Sequence, residues 1–510
     1  MGRALLLLAA AALVATAAAS GRPAGSAVTP AQPLYTALDD PKTFGGPEAP
    51  LGFERAAGTG ATFIRLTLRW KTVAPDQPPA GEATDPGWTG YDWSAIDAQV
   101  ELAAKNGLEP ILVVEDSPTW AQDTPPDDPN LGAWVKPFGL KQYWRPSAAA
   151  LADFATAAAK HYGGDLGLPR VRYWQVWNEP NLSTFLNPQL SDQLTKRPSL
   201  PFDQSDVLSA DIYRALANAF YDAVHAVHQD NVVVAGGTSP FSGANGVVAL
   251  GPLLFMRKLL CMSNATVPKP TCGATVHFDV WSTHPYTSGG PTHHANLPDD
   301  VSIGDLPEMA NLLHAAARAG HVISNGPVRF WVTEFGWDTS PPDCCAVPLR
   351  LHARWVAEGL YRMWAAGVSL VTWFELRDQA SIGREFDGQI LQTGLYFRGA
   401  TLAQDTPKPA LTAFRFPFVA FRQNGKIFVW GRTPWGKPGQ VAVEQQTKGG
   451  WALIGTLNTA RTGIFEATLK SAGSGFYVRA RLVGQTPAYS ALPFSLNVPP
   501  DRHVNPFGGP

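Results

Sequence analysis

Between residues 33 and 416, short apolar runs typical of β-strands alternate with longer runs whose apolar residues recur at helical spacing. Eight strands that alternate with amphipathic helices indicate parallel βα units. The predicted strands are Leu34–Leu38, Thr62–Leu68, Pro110–Val114, Arg172–Trp177, Val232–Ala235, Phe278–Ser282, Arg329–Thr333 and Ser369–Phe374, and the predicted helices include Trp93–Asn106, Ala148–Tyr162, Asp206–His228, Leu306–Ala319 and Leu349–Ala366.

The number of these strands and their span distinguish two α/β architectures. Eight βα units over residues 33–416 suit a (β/α)8 barrel with insertions. The alternative is an open doubly wound sheet, in which a Gly-rich phosphate turn would follow one of the strands. The sequence has no such turn after any predicted strand. We therefore predict an α/β fold, a TIM barrel, for this region.

From about Pro417 onward the pattern changes to short alternating runs separated by Gly, Pro, Lys and Asn. Examples are KIFVWGR, GQVAVEQQ, GWALIGTL and GFYVRARLVG. Alternation with a period of two is typical of strands that bury one face. We predict a small antiparallel β-sandwich over residues 417–498, followed by a polar, Pro-rich tail at residues 499–510.

The first residues have the features of a signal peptide. Arg3 forms a short basic region, Ala4–Val14 is apolar, and Ala17-Ala18-Ala19 resembles an A-x-A cleavage site. The apolar run is too short for a comfortable transmembrane helix. We predict export with cleavage after residue 19 and a linker at residues 20–32, with an uncleaved anchor as the alternative.

Composition excludes some classes of partner. The chain has 510 residues, of which 45% are hydrophobic and 16% are charged, as expected of a folded globular protein. Because the formal net charge is only −2, no basic field attracts nucleic acid or anionic lipid. We expect a secreted monomer, with no membrane span in the mature chain.

Four cysteines allow three disulfide pairings in an exported chain. Cys261 and Cys272 would close a short loop, and we favour this pair. Cys344 and Cys345 are adjacent, so a bridge between them would be strained. A metal site is less favoured, because no His lies near these cysteines at ligand spacing.

Two glutamates end predicted strands in the same way. Glu179 ends the fourth strand in RYWQVWNEPN, and Glu334 ends the seventh in RFWVTEFGW. The carboxyl ends of barrel strands meet at one mouth. Cleaving a glycosidic bond needs a carboxylic acid that protonates the leaving oxygen and a carboxylate that stabilises the positive charge on the sugar carbon. The surroundings of the two groups must therefore make their pKa values differ. The pair therefore predicts glycosidic bond cleavage.

Further polar and aromatic residues lie at the same ends of other strands. Asn178 would hydrogen-bond the hydroxyl beside the reacting carbon, and Arg65 on the second strand would keep a carboxylate ionised. His284 and Tyr286 end the sixth strand, where the Tyr would orient the nucleophile and the His would support the acid. Trp373 on the eighth strand would form a stacking floor. Each residue alone has an ordinary structural explanation, but together they favour a site.

These motifs resemble those of the retaining glycoside hydrolases of clan A. In that clan an Asn-Glu pair ends strand four and a Glu ends strand seven of a (β/α)8 barrel. The resemblance implies that Glu179 is the acid/base and that Glu334 is the nucleophile. Arg65, the His-Pro-Tyr triplet and Trp373 resemble the cellulase-like family 5, whereas WNEPN, TEFGW and SPTW resemble family 39.

The end of the third strand departs from the family 5 pattern, which usually has a His there. This strand reads ILVVEDSPTWAQ, with Asp116, Ser117 and Trp120 instead. The departure argues against cellulose as the substrate. Trp120 and Trp337 would either line sugar subsites or wall the barrel mouth.

We predict double displacement on a β-linked oligosaccharide or polysaccharide, without a metal or an organic cofactor. An exported transglycosylase and a non-catalytic carbohydrate-binding barrel are the alternatives. A metallohydrolase is less favoured, because no carboxylate at helical spacing accompanies His284, His293 and His294.

The predicted β-sandwich has two possible roles. A structural buttress on the barrel is favoured, because one Trp per strand is ordinary for a sandwich core. The alternative is a carbohydrate-binding module that uses Trp430, Trp435 or Trp451.

Overall fold

The computed structural model describes residues 32–125, 142–194, 198–244, 247–343, 346–380, 391–485 and 489–498. The predicted signal peptide, nearly all of the predicted linker, Cys344, Cys345 and the predicted tail lie outside the described residues. Within these ranges, no helix has the length and apolar character needed to cross a membrane.

Eight parallel strands close into a barrel. Each strand pairs with the next one along the chain, and the last strand pairs with the first. The strands are β1 (Tyr35–Asp39), β2 (Phe63–Arg69), β3 (Glu109–Glu115), β4 (Tyr173–Val176), β5 (Val232–Thr238), β6 (Val280–Thr283), β7 (Arg329–Val332) and β8 (Val368–Phe374). The predicted TIM barrel is confirmed, and the predicted strands differ from the observed ones only at their ends.

Helices connect the strands and cover the barrel. They are α1 (Pro41–Phe44), α2 (Ala49–Gly58), α3 (Trp70–Val73), α4 (Ser94–Lys105), α5 (Ala148–His161), α6 (Ser209–Val227), α7 (Pro252–Leu259), α8 (Leu306–Arg318), α9 (Leu349–Ala365) and α10 (Pro409–Arg415). The sequence explains where α5 begins. Ser147 is its N-cap, and the Ser147 hydroxyl accepts a hydrogen bond at 3.2 Å from the Ala150 N–H, which has no partner within the helix. The five predicted helices correspond to α4, α5, α6, α8 and α9.

Shorter elements lie between the main ones. Four 3₁₀ turns and three two-stranded pairs are present in the described residues. The turns are Thr119–Ala121, Ile303–Asp305, Leu402–Gln404 and Pro434–Gly436, and the pairs are Val276–His277 with Val322–Ile323, Thr339–Ser340 with Val347–Pro348, and Tyr396–Phe397 with Thr406–Pro407.

The interior of the barrel is apolar near the start of the strands. Because side chains alternate along a strand, one set points inward and the other packs under the helices. The inward set is Ala37, Phe63, Ile111, Val232, Val234, Val280, Trp331 and Leu370. Two residues further along β2 and β4, the inward positions hold Arg65 and Gln175. The polar inward residues therefore lie toward the carboxyl end of the barrel. We call the inward apolar set below them the apolar plug.

A β-sandwich follows the barrel. Its strands are β9 (Phe418–Gln423), β10 (Lys426–Arg432), β11 (Gln440–Thr447), β12 (Gly450–Asn458), β13 (Ile464–Lys470), β14 (Tyr477–Leu482) and β15 (Phe494–Ser495). The order β9-β10-β13 forms one antiparallel sheet, and β12-β11-β14-β15 forms the other.

Two of the three Trp residues singled out in the sandwich contact the barrel. Trp430 is fully buried, and its ring lies 5.4 Å from those of Tyr361 and Trp364 on α9. The Trp435 indole N–H donates to the Ala57 carbonyl at the end of α2, at 3.0 Å. Trp451 instead lies under the Arg479 guanidinium, 4.2 Å from its ring centre. These contacts favour a buttress role for Trp430 and Trp435.

The favoured disulfide is confirmed. Cys261 and Cys272 are bonded, and their Cα atoms are 5.2 Å apart. The bridge closes the loop that follows α7.

We predict that Trp430→Ala lowers the free energy of unfolding by about 3–5 kcal/mol, because it empties a packed site between the two domains. Trp451→Ala is the matched control, since it removes a partly exposed Trp from the same domain, and its cost should be at most about 1 kcal/mol. Urea denaturation followed by circular dichroism measures both values. Equal losses in the two variants would contradict the proposed anchoring role of Trp430.

Candidate active site

The chain bends sharply where β4 ends, and the bend presents Glu179 to the barrel mouth. Trp177 and Glu179 both have positive φ angles, 66° and 40°. Such backbone costs about 1–3 kcal/mol per residue and persists only where neighbours hold it. The Trp177 N–H donates to the Val114 carbonyl at 2.9 Å, and the Glu179 N–H donates to the Gly237 carbonyl at 3.0 Å. Neighbouring strands therefore hold the carboxylate in place.

Two glycines at the end of β5 make this arrangement possible. A Cβ on Gly236 would collide with the Ser282 carbonyl, and a Cβ on Gly237 would lie 2.7 Å from the Gln175 side chain. Without these side chains, β5 approaches β6 closely, and the Gly237 N–H donates to the Ser282 hydroxyl at 2.8 Å. The Gly237 carbonyl, which accepts the hydrogen bond from the Glu179 N–H, is therefore placed by two residues that have no side chain.

The Glu179 carboxyl is largely buried, with 15% of its side chain exposed. Its Oε1 lies 3.0 Å from His284 Nδ1. Burial raises the pKa of Glu179 to about 7, and the positive charge of Arg65 opposes the rise only in part. At neutral pH a large fraction of this carboxyl therefore carries its proton.

Glu334 follows β7 and makes more contacts with donors than Glu179. The Tyr286 hydroxyl donates a hydrogen bond to Glu334 Oε1 at 2.7 Å. Arg65 Nη1 lies 3.4 Å from Glu334 Oε2. Burial raises the pKa of Glu334, and the Arg65 charge opposes this effect.

A neutral imidazole joins the two carboxyls. His284 is fully buried, and burial lowers its pKa to about 4. Its Nδ1 lies 3.0 Å from Glu179 and 3.8 Å from Glu334, while its Nε2 lies 3.2 Å from the Thr333 hydroxyl. The structure thus brings both predicted carboxylates to one nitrogen.

Arg65 contacts several of the polar residues at the mouth. Its guanidinium is 4% exposed and pairs with Asp39 on β1 through Nη1. Nη2 donates to Asn178 Oδ1 at 2.8 Å, and Nε donates to Gln175 Oε1 at 3.2 Å. The structure therefore brings Asn178, Glu334 and Arg65 together, as the sequence predicts.

Asp39, which is buried at the end of β1, is a site residue that was not predicted from the sequence. A detectable signal existed, because Asp39 is an acid at the carboxyl end of a predicted barrel strand, as Glu179 and Glu334 are. Gln175 was also missed, since an inward Gln in the middle of a strand is distinguished only by its neighbours.

The predictions for Trp373 and Trp337 as sugar-facing residues are wrong. Trp373 is 1% exposed and points outward from β8, where it packs on His352 of α9. Trp337 is fully buried and donates its indole N–H to the Thr287 carbonyl at 2.9 Å. Alternation from the inward Leu370 instead places the partly exposed Phe374 at the mouth.

Trp120 lies in the 3₁₀ turn after β3 and keeps part of its ring exposed. Its indole N–H donates to the Ala74 carbonyl at 3.1 Å, and its edge meets Trp70. Of the three Trp residues predicted to contact the sugar, only Trp120 keeps part of its ring exposed.

Acidic residues occupy the end of β3, where family 5 usually has a His. Arg69 Nη1 lies 2.6 Å from Asp116 and 3.5 Å from Glu115, and Lys71 lies 3.3 Å from Asp116. Burial and the Asp116 charge raise the pKa of Glu115 to about 7. This corner of the mouth is built from ion pairs.

The histidines of the metallohydrolase alternative do not converge. His284 contacts Glu179, whereas His294 pairs with Asp305 at 2.6 Å. Across the part of the chain that the structure describes, no group of three or more His, Cys, Asp or Glu side chains is arranged to hold a metal ion.

The chain resembles several solved structures in fold. A monomeric β-xylosidase from Caulobacter crescentus CB15 is 15% identical, with 86% of this chain and 94% of that chain covered and a TM-score of 0.47. A family 39 enzyme from Xanthomonas axonopodis pv. citri is 15% identical, with 87% and 92% covered and a TM-score of 0.45. A family 5 enzyme from Bifidobacterium longum, in complex with Manβ1-4GlcNAc, is 13% identical, with 75% and 77% covered and a TM-score of 0.42.

No curated protein matches the chain. Residues 43–357, more than half of the chain, match the family model for cellulase, glycosyl hydrolase family 5. That range contains both glutamates, Arg65 and His284. The chain therefore belongs to glycosyl hydrolase family 5 and is a clan A glycoside hydrolase.

Proposed function

We propose that this chain is a secreted, retaining glycoside hydrolase that cleaves a β-linked oligosaccharide or polysaccharide by double displacement. The main support is the position of Glu179 and Glu334 around His284 Nδ1. Two oxygens that lie 3.0 and 3.8 Å from the same atom are less than about 7 Å apart. Retaining enzymes hold their carboxyls about 5–5.5 Å apart and inverting enzymes about 6.5–9.5 Å apart, so this limit overlaps only the lower end of the inverting range and supports the retaining route.

The hydrogen bonds support Glu334 as the nucleophile. It accepts a hydrogen bond from Tyr286 and lies beside the Arg65 guanidinium, and both interactions favour its ionised form. Glu179 contacts a neutral imidazole, and its pKa is raised to about 7 by burial. Burial raises the pKa of both carboxyls, but of the two only Glu334 has, within the described residues, a hydroxyl and a guanidinium beside it that oppose this effect. This difference supports Glu334 as the nucleophile and Glu179 as the acid.

The reaction then follows in two balanced steps. A Glu334 oxygen bonds to the anomeric carbon while the bond to the leaving oxygen breaks, and Glu179 gives that oxygen its proton. A water next attacks the anomeric carbon and gives a proton to Glu179. The bond between that carbon and Glu334 breaks in the same step, so the Glu334 carboxylate is released. Two inversions at one carbon give net retention.

Asn178 supports the binding of the sugar. Because Asn178 Oδ1 accepts from Arg65, its amide N–H groups are directed away from that guanidinium. They are donors for the hydroxyl next to the reacting carbon, a contact that strengthens in the transition state.

Cellulose is not the proposed substrate. The acidic cluster of Glu115 and Asp116 replaces the usual His at the end of β3. The exposed side chains of Arg69 and Lys71 flank this cluster, so the adjoining surface is polar and charged. This surface favours a glycan other than plain cellulose.

Secretion is supported by two features. The N-terminal sequence has the regions of a cleavable signal peptide. Cys261 and Cys272 form a disulfide, and disulfides persist mainly in oxidising compartments.

We predict that Glu334→Gln lowers kcat on aryl β-glycosides by several orders of magnitude, because it removes the nucleophile. Release of the aryl group, followed by absorbance over a panel of β-glycosides, also identifies the sugar class. Glu109→Gln is the matched control, since Glu109 begins β3 at the opposite end of the barrel. An unchanged rate in Glu334→Gln on an active substrate would refute this assignment.

We predict that azide separates the two roles. In Glu334→Ala, azide should attack from the vacated side and give the α-glycosyl azide. In Glu179→Ala, azide should replace water on the glycosyl-enzyme and give the β-glycosyl azide. Proton NMR of the products distinguishes the anomers, and the reversed pattern would exchange the two assignments.

We predict that kcat/KM falls as the pH rises through about 7, because Glu179 must carry a proton to act as an acid. The descending limb should disappear in Glu179→Gln when the leaving group is activated, such as dinitrophenolate, and needs no proton. With a poor leaving group, the same variant should lose about 10²–10⁴-fold in rate. A pH profile with the same descending limb in both proteins would argue against Glu179 as the acid.

We predict that the protein recovered from the culture medium begins at Ser20, because the cleavage site follows Ala19. N-terminal sequencing or mass spectrometry of the intact protein measures this. Recovery only from the membrane fraction, with Met1 or Gly2 at the N-terminus, would instead support the uncleaved anchor.

A further inference from the structure

A second cavity lies at the amino-terminal end of the barrel, opposite the mouth. Its volume is about 790 Å³. The first residues of barrel strands form one side, and loops of the β-sandwich form the other. The apolar plug of the barrel, with Phe63 and Trp331 in both its core and the cavity wall, separates this cavity from Glu179 and Glu334.

The charge around this cavity is positive. Four arginines line it, namely Arg172, Arg329, Arg432 and Arg461, against one carboxylate, Glu109. Arg172 has a partner, since its Nε lies 3.5 Å from Asp230. Arg329 lies over the Trp331 ring, 5.6 Å from its centre. Arg461 is exposed at the edge of the cavity.

Arg432, at the end of β10, is the unusual member of this group. It is 1% exposed, and within the described residues its Nε and Nη1 have no hydrogen-bond partner. Burial lowers its pKa to about 10, so the guanidinium still carries its charge at neutral pH. An unpaired buried cation strongly opposes folding unless an anion compensates it.

The loop after β10 holds this guanidinium at the cavity wall. A Cβ on Gly436, whose φ is +62°, would lie 3.3 Å from Arg432 Nη2, so the side chain rests directly on the loop backbone. Trp435 in the same loop is fixed to the barrel by its hydrogen bond to Ala57. The position of Arg432 is therefore built into the domain interface.

We propose that this cavity binds a small oxyanion, a carboxylate or a phosphate group, on Arg432. A guanidinium pairs with both groups through two parallel hydrogen bonds. The cavity has room for more than the anion itself, and Tyr35 and Trp435 add aromatic walls suited to a sugar ring. An acidic monosaccharide and free phosphate share the recognised chemistry.

Isothermal titration calorimetry of the mature full-length chain with sodium phosphate, sodium glucuronate and glucose tests the proposal. At least one anion should bind, and glucose should not. Arg432→Met should weaken anion binding by about 100-fold or more, because it removes the buried partner. Arg350→Met is the matched control, since Arg350 is exposed at the start of α9, away from the cavity, and it should bind as the natural chain does.

Thermal unfolding gives an independent reading. Without anions Arg432→Met should raise the melting temperature, because an apolar side chain replaces an unpaired buried charge. Added anion should raise the melting temperature of the natural chain and of Arg350→Met, but not of Arg432→Met. Arg461→Met, an exposed change in the same cavity, should weaken binding by about 10-fold and decides the question if Arg432→Met does not fold.

Binding of phosphate alone would identify a phosphate site, and binding of glucuronate alone would identify a sugar-acid site. No binding of either anion to the natural chain would overturn the proposal. Undiminished binding in Arg432→Met, or equal binding of glucose, would overturn it as well, since the ligand would then lie elsewhere.

Discussion

The site depends on one buried guanidinium. Arg65 would be costly inside the barrel without acceptors, because a buried charge must recover the hydration that it loses. Its acceptors come from three strands other than its own, namely Asp39 on β1, Gln175 and Asn178 in and after β4, and Glu334 after β7. The pairing that makes Arg65 tolerable also fixes the positions of the Glu334 carboxylate and the Asn178 amide at the mouth.

Strand alternation explains why this charge is located at the mouth. In β2, Phe63 points into the apolar plug and Arg65 follows two residues later on the same side. In β4, Tyr173 packs on the plug and Gln175 follows it. The plug excludes water from below, so the groups above it titrate in a partly desolvated space. This burial raises the pKa of Glu179 and lowers that of His284.

Periodicity predicted the barrel, with strand ends close to the observed ones, and this was enough to place Glu179, Glu334 and Arg65 at the mouth. It did not decide which aromatic residue lies at the mouth, because a shift of one residue along β8 exchanges Phe374 for Trp373. Trp337 lies beyond β7, where alternation no longer applies, and its burial depends on the distant Trp355 of α9. Such outcomes are set by packing between elements, which a single sequence does not display.

A buried arginine lies at each end of the barrel, and the two differ in whether the chain supplies acceptors for the guanidinium. At the mouth, Arg65 finds its acceptors within the chain, so the site is organised before a substrate arrives. At the base, Arg432 has the same burial, yet two of its nitrogens have no acceptor among the described residues. Acceptors within the chain offset the desolvation cost of Arg65, whereas no acceptor among the described residues offsets that of Nε and Nη1 of Arg432. The proposed oxyanion would supply the acceptor that these two atoms lack among the described residues.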